Sequence, residues 1–350
     1  MRDVVEIGLG KTAQRGYHLD DIAIVPSRRT RDVDDVSTAW QLDAYQFGIP
    51  CVAHPSDATM SPASAVRLGQ LGGLGVLNVE GLWTRYENPA KILEELAGLG
   101  EDARATKRLQ EVYAEPIRPD LIAERVRELR EGGGTVAVRV SPQHTLALAP
   151  VILDAGVDIL VIQGTLVSAE HVSTTDEPLN LKEFIADLDL PVVVGGCTDY
   201  KTALHLMRTG AAGVIVGIGG DDWSTTESVL GIRVPMATAI ADGDMQTSGD
   251  IAKALGCGAD AVMLGEPLSL CEEAPAGGAW WHSAASHPSL PRGAFEVAGE
   301  PLGSMEKLLF GPADEPDGQL NLFGGLRRAM AKCGYRDLKE FQKVGLVLDR

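Results

Sequence analysis

The chain has 350 residues, 45% hydrophobic and 23% charged, an ordinary globular balance with enough length for a large core. A net charge of −18 argues against a nucleic-acid surface, because phosphate-backbone binding needs clustered Lys and Arg. The opening Met1-Arg2-Asp3-Val4-Val5 has no apolar signal region and no stretch approaches a membrane span, so the expected location is cytoplasmic.

In chain order, residues 1–48 read as a leader containing Asp20-Asp21-Ile22-Ala23-Ile24-Val25-Pro26. From residue 49 short apolar runs alternate with helical patterns. The runs are Ile49–Ala53, Leu74–Leu77, Thr135–Val140, Val157–Ile162, Leu190–Val194, Gly213–Gly217, Val234–Ala241 and Ala259–Leu264. They are near-continuously apolar, as parallel strands covered on both faces must be. Eight such units predict one (β/α)8 TIM barrel over 1–350, with a doubly wound sheet as the structural alternative.

A weak repeat supports the rhythm. Ala155-Gly156-Val157-Asp158, Thr209-Gly210-Ala211-Ala212 and Cys257-Gly258-Ala259-Asp260 each follow a helical pattern and precede a strand. The glycine in each supplies a left-handed helix end. Residues 99–120 read as a charged helical excursion, and 270–325, rich in Gly, Pro and Ser, as a long loop or flap over one barrel end. The crossover from Gly217 to Val234 has room only for a glycine turn and a short helix around Thr225–Leu230. Its capping is assigned to Ser224, Thr225 and Thr226, with Glu227 completing a capping box.

In a barrel the loops after the strands build the site. After strand six comes Gly217-Ile218-Gly219-Gly220-Asp221-Asp222-Trp223-Ser224-Thr225-Thr226-Glu227, and after strand seven Asp242-Gly243-Asp244-Met245. Thr247-Ser248-Gly249 then opens a helix, and Gly265-Glu266-Pro267 follows strand eight. Glycine loops after strands seven and eight suit a phosphate cradle of backbone N–H groups, and equally suit plain turns. The carboxylates of Asp221, Asp222, Asp242, Asp244 and Glu266 would repel a phosphate. A divalent metal would reconcile them; solvent-facing caps are the simpler reading, and no metal is assigned. The five cysteines (Cys51, Cys197, Cys257, Cys271, Cys333) form no C-x-x-C pair, against zinc or a disulfide framework. Ser224, His54 and His171 are the candidate nucleophile and bases, a serine needing such a base to react.

At these loops the chain resembles the IMP dehydrogenase/GMP reductase family, specifically its short bacterial branch without the regulatory CBS insert. The resemblance rests on Leu19 to Pro26, on Ile49-Pro50-Cys51-Val52-Ala53-His54-Pro55-Ser56-Asp57 and on Leu71-Gly72-Gly73-Leu74-Gly75. It continues in Ile240-Ala241-Asp242-Gly243 with Gly249 to Leu255, and in Gly324-Gly325-Leu326-Arg327 with Cys333-Gly334.

It implies an oxidoreductase that binds a purine nucleotide monophosphate and exchanges hydride with NAD or NADP, in a homotetramer; whether a monovalent cation binds the Gly217–Gly220 carbonyls is left open by the sequence. Ser56, Gly219, Asp242, Gly243, Asp244, Gly265 and Glu266 would meet the substrate. Gln163, Gly164 and Thr226 would meet the cofactor, and Ser224 with Thr226 the reacting purine.

The sequence departs from the family at informative places. Ser224 stands where the family has its loop-six cysteine, Glu227 replaces an arginine and Gln163 an aspartate. Asp244 replaces a glycine and Glu266 a serine, and the flap shows no Arg-Tyr pair. Two other readings stand beside the enzyme: a non-catalytic relative that senses a nucleotide or builds an assembly, and a barrel that binds flavin mononucleotide.

Overall fold

Seven of the eight apolar runs form short parallel strands: β1 (Cys51–Ala53), β2 (Val76–Asn78), β3 (Ala137–Val140), β4 (Ile159–Gln163), β5 (Val192–Cys197), β6 (Gly213–Val216) and β7 (Val262–Leu264). They are seen in a computed structural model that describes residues 4–100, 103–168, 171–172, 178–218, 225–235 and 245–348. Strands β2 to β6 lie side by side in chain order, and β7 pairs with β1. A bridge from Val52 to Leu74 joins the two groups, with Ala53 N and Leu74 N donating at 2.8 Å to Leu74 O and Cys51 O. The curved series β7-β1-β2-β3-β4-β5-β6 is that of a (β/α)8 barrel. Of the seventh run, Val234–Ala241, only Val234 and Pro235 are described, and they form no regular element.

Alternation explains how continuously apolar runs serve two faces. Leu77, Val138, Val140, Leu160, Ile162, Val192, Val194, Val262 and Leu264 belong to one cluster, against the surrounding helices. Val76, Ala137, Ile159, Val161, Ile215 and Met263 belong to another, inside the barrel, with Val52 and Val193 packed on it. An antiparallel hairpin, Trp40–Leu42 with Tyr45–Phe47, contributes Leu42 and Phe47 to the same inner cluster from the N-terminal end of the strands. Trp40 stacks on Phe47 at 5.0 Å and its Nε1 donates to Ile49 O at 2.7 Å, which fixes this stopper.

Crossover helices begin and end where local chemistry says they should. Pro62–Gln70 opens on a Ser61 capping box with proline in its first turn, and Pro119–Glu131 also starts on proline. Gly156, Gly210 and Gly258 have φ of 82°, 97° and 115°, the left-handed conformation expected of the repeat.

Boundaries differ from the sequence expectation in a consistent way. The fourth and fifth strands start two residues later than Val157 and Leu190, because the first residues of those runs finish the turn after the preceding helix. The excursion holds the helix Ala103–Tyr113, but residues 119–120 already belong to the crossover helix, whose first turn Pro119 sets. The segment 270–325 contains a hairpin (Ala279–Trp281 with Phe295–Val297), a 3-10 turn (Ser283–Ser286) and a helix (Met305–Phe310), set in otherwise mostly irregular chain. The short helix runs Thr226–Leu230, one residue later than expected, and Ser224 lies outside the described residues. Its N-cap Thr225 makes no side-chain capping bond, and the Glu227 carboxylate instead accepts from Arg233 Nη1 at 3.0 Å.

Candidate functional site

One step of alternation past the inner apolar layer reaches the C-terminal mouth of the barrel. Val52 leads to His54, Val76 to Asn78, Ala137 to Arg139, and Val161 to Gln163. On the other side Val193 leads to Gly195, Ile215 to Gly217, and Met263 to Gly265. The mouth row is therefore polar over β1 to β4 and bare backbone over β5 to β7.

Arg139 organises the polar half. Its Nε and Nη2 donate to Gln163 O at 3.1 and 2.6 Å, and its Nη1 to Asn78 Oδ1 at 3.3 Å and Glu80 Oε2 at 2.8 Å. Glu80 is buried, and Ser141 gives its carboxylate a backbone N–H at 2.5 Å and a hydroxyl at 2.9 Å. His144 Nδ1 also bonds Glu80. Burial opposes ionisation of Glu80, but the Arg139 charge and the His144 and Ser141 bonds outweigh it and hold the carboxyl at about 2. The same hydrogen bond raises the pKa of His144, whose side chain is half exposed.

The flap hairpin covers the β1 side. His54 is 3% exposed, with its ring 5.2 Å from Trp280 and 5.0 Å from His282 between centroids. Neither ring nitrogen of His54 has a hydrogen-bond partner. Burial, with His282 and Arg139 nearby, pushes its pKa well below the ordinary histidine value, and burial brings His282 to about 4. The flap is pinned from below and from the side. Ser56 Oγ donates to Trp281 O at 2.8 Å. Trp281 Nε1 donates to Tyr113 Oη at 3.0 Å, and Tyr113 in turn to Asp57 Oδ2 at 2.5 Å. Burial raises the Asp57 carboxyl to about 6 against the Tyr113 bond.

Of the residues named from the sequence, Ser224, Gly219, Asp242, Gly243 and Asp244 lie outside the described residues, as do Asp221 and Asp222. Thr226 is buried at the first position of its helix. Gln163 reaches across the barrel, its amide donating to Met263 Sδ at 3.4 Å. Gly164 exchanges backbone bonds with Gly195 and Gly196 at 2.8 and 3.0 Å. Ser56 is buried under the flap, and the glycine Gly265 lies against Trp280. Glu266 accepts from Gln246 Nε2 at 2.9 Å. His171 is exposed.

Burial raises the pKa of every cysteine, Cys197 to about 11 and Cys271 to about 12, so none supplies a thiolate near neutral pH. Among the described residues no three His, Cys, Asp or Glu side chains group to hold a metal, and no helix is long and apolar enough to cross a membrane.

Sequence reasoning missed Arg139, Glu80, His144, His282 and Trp280. A usable signal existed for Arg139: a charged residue two places beyond an inward Ala137 inside an apolar run marks the mouth layer. Nothing comparable marks Trp280 or His282, which reach the mouth through flap folding.

Comparison with known proteins gives a consistent result. A family model described as IMP dehydrogenase / GMP reductase domain matches residues 16–288. This chain is similar to an uncharacterized oxidoreductase of Mycolicibacterium smegmatis, 56% identical over 99% of this chain and 100% of the relative. It is also similar to an inosine-5′-monophosphate dehydrogenase of Methanocaldococcus jannaschii, 25% identical over 95% of this chain and 92% of that protein. Among solved structures, an IMP dehydrogenase/GMP reductase-like protein from Corynebacterium glutamicum matches with a TM-score of 0.93 at 48% identity, covering 99% of this chain and 98% of that one.

Proposed function

Because this chain belongs to the IMP dehydrogenase/GMP reductase family, we propose that it is an oxidoreductase acting on the purine ring of a substrate held in the barrel mouth, with NAD or NADP as hydride partner. The observation that carries this reading is the mouth row itself. Four polar side chains from four successive strands converge where the fold builds its sites, with the flap hairpin over the His54 side.

A nicotinamide cofactor, when bound, takes up or gives hydride. The donor set fits its carboxamide: Gln163, at the end of β4, carries a side-chain amide with both donor and acceptor capacity, and Arg139 fixes its main-chain carbonyl. Arg139 orients Gln163 and neutralises Glu80. Glu80 fixes the ring of His144 through Nδ1, which leaves Nε2 for ligand or solvent. Ser224 occupies the family's cysteine position in this reading, with Thr226 two residues on in sequence. A homotetramer in the cytoplasm completes the reading, and light scattering on the purified chain checks the assembly.

The reacting group is the purine ring. The test is a turnover panel: hypoxanthine and guanine compounds as base, nucleoside and monophosphate, with NAD, NADP and their reduced forms. Nicotinamide absorbance is followed in both directions. Turnover of one purine, abolished in Ser224→Ala, is expected. No turnover with any pair refutes the oxidoreductase reading, and full activity in Ser224→Ala removes Ser224 from it.

A further inference from the structure

We propose that the flap is a pH-sensitive latch. The protonated carboxyl of Asp57, buried where the barrel, the helix Ala103–Tyr113 and the flap hairpin meet, holds it closed, and ionisation of that carboxyl releases it.

The flap and the excursion form a packing unit of their own. Trp280, Trp281 and Phe295 of the hairpin share a buried cluster with Leu109 and Val112 of the helix, separate from the two clusters of the barrel strands. Units of this kind open locally, at a lower cost than the whole fold. Asp57 sits at the seam between this unit and the barrel. It is 1% exposed, and its Oδ1 makes no hydrogen bond. Its Oδ2 accepts from Tyr113 Oη at 2.5 Å, and Tyr113 Oη accepts in turn from Trp281 Nε1 at 3.0 Å. Its two chain neighbours bond the same segment: Ser56 Oγ donates to Trp281 O at 2.8 Å, and Ala58 O accepts from Ala276 N at 3.1 Å. Lifting the flap therefore removes the cover over residues 56–58 and lets water reach the carboxyl.

The elements packed on Asp57 leave its charge poorly compensated. On the turn after β2, Gly81 lies against the carboxylate, where a Cβ would come within 2.2 Å of Oδ1. The Arg85 guanidinium of the same turn donates to Glu80 O and Glu115 O, and lies over the far ring of Tyr113, 5.8 Å from its centre. The excursion helix contributes Tyr113, which burial keeps neutral, and the flap contributes Trp281 and then His282, also kept neutral by burial. Arg139 is committed to Glu80 and Gln163. Burial therefore raises the carboxyl from 3.8 to about 6, outweighing the Tyr113 and Leu82 hydrogen bonds and the two arginines. The closed flap binds the proton more tightly than the open, hydrated one. Its help to closure is complete below 3.8 and is lost as pH rises through about 6. Between pH 5 and pH 7.5 these values raise the ratio of open to closed flap about tenfold.

Hydrogen exchange on the full chain tests the latch, read by mass spectrometry over a series from pH 5 to pH 7.5 and corrected for the intrinsic rate. Protection of the flap hairpin is expected to fall about tenfold across the series, and to stay below that of strands β3 to β5 throughout. Asp57→Asn is neutral at every pH and should flatten the curve. If that variant does not fold, Tyr113→Phe keeps the ring but removes a bond that favours the ionised carboxylate, so the midpoint should move to higher pH. Flap protection that is constant or rises with pH overturns the inference. So does an undiminished fall in Asp57→Asn, or an unmoved midpoint in Tyr113→Phe. Equal protection of flap and strands at every pH overturns it as well, because the flap would then open only with the whole barrel.

Discussion

Replacing Arg139 by methionine removes the charge that balances Glu80 while keeping most of the buried side-chain volume. Both members of the pair are 9% exposed and lie 2.8 Å apart. Stranding one partner of a buried ion pair costs about 3–5 kcal/mol. The ionisation of Glu80 points the same way: a carboxyl lowered from 4.5 to about 2 by folding contributes about 3 kcal/mol. For a chain of this length such a loss lowers Tm by about 4–7 °C. The sign with pH is specific. A carboxyl lowered on folding contributes fully above its unfolded value of 4.5, and that contribution is lost as pH falls toward 2. The Arg139→Met defect, read by urea denaturation, should therefore be largest near neutral pH and shrink in acid, where the stranded Glu80 takes up a proton. Adding Glu80→Gln should recover much of the loss, giving a coupling of more than about 1 kcal/mol in the double-mutant cycle. A single variant within about 1 kcal/mol of the parent at neutral pH, or purely additive singles, would refute the claim that this pair is electrostatically coupled.

Asp57, raised to about 6 by burial, binds a proton more readily folded than unfolded, so its contribution to stability declines as pH rises from about 4 through 6. Asp57→Asn should gain on the parent by up to about 3 kcal/mol between pH 4 and pH 7.5, and denaturation midpoints at the two values that move in parallel would contradict this. Gly265→Ala forces a methyl group into the Trp280 ring and should cost about 1–3 kcal/mol with a red shift in tryptophan emission; unshifted emission would mean the indole does not pack there. Alkylation at neutral pH should modify Cys257 slowly and the four buried cysteines only after unfolding. Rapid labelling of a buried thiol, located by mass spectrometry, would show that its environment is misjudged.

The barrel was legible because its strands obey two rules at once. Runs such as Val157–Ile162 are apolar throughout, which parallel packing on two faces demands, and Gly156, Gly210 and Gly258 punctuate the helix ends. Strand edges were less legible, since nothing in Val157-Asp158 or Leu190-Pro191 separates the end of a turn from the start of a ladder. At the mouth, Gln163 and Gly265 could be placed from the strands they follow. Glu80 and His144 could not, because a charged residue after a strand looks like any solvated loop residue until Arg139 is seen beneath it. Trp280 and His282 reach His54 from more than two hundred residues away, through a hairpin whose glycines and prolines read as irregular chain. At Thr226–Leu230 the helix begins one residue later than expected, which moves the N-cap from Ser224 to Thr225 and takes Glu227 out of the third position a capping box needs.

The hairpin built on Trp40 and Phe47 has a kinetic consequence. Its Leu42 and Phe47 cap the inner layer at the N-terminal end of the strands, so a ligand of the mouth row exchanges at the opposite, C-terminal end. The flap is held by Ser56 and, through Tyr113, by Asp57. Exchange on the β1 side then requires those bonds to loosen, whereas the His144 side stays open to solvent, so the two sides of the mouth exchange at different rates.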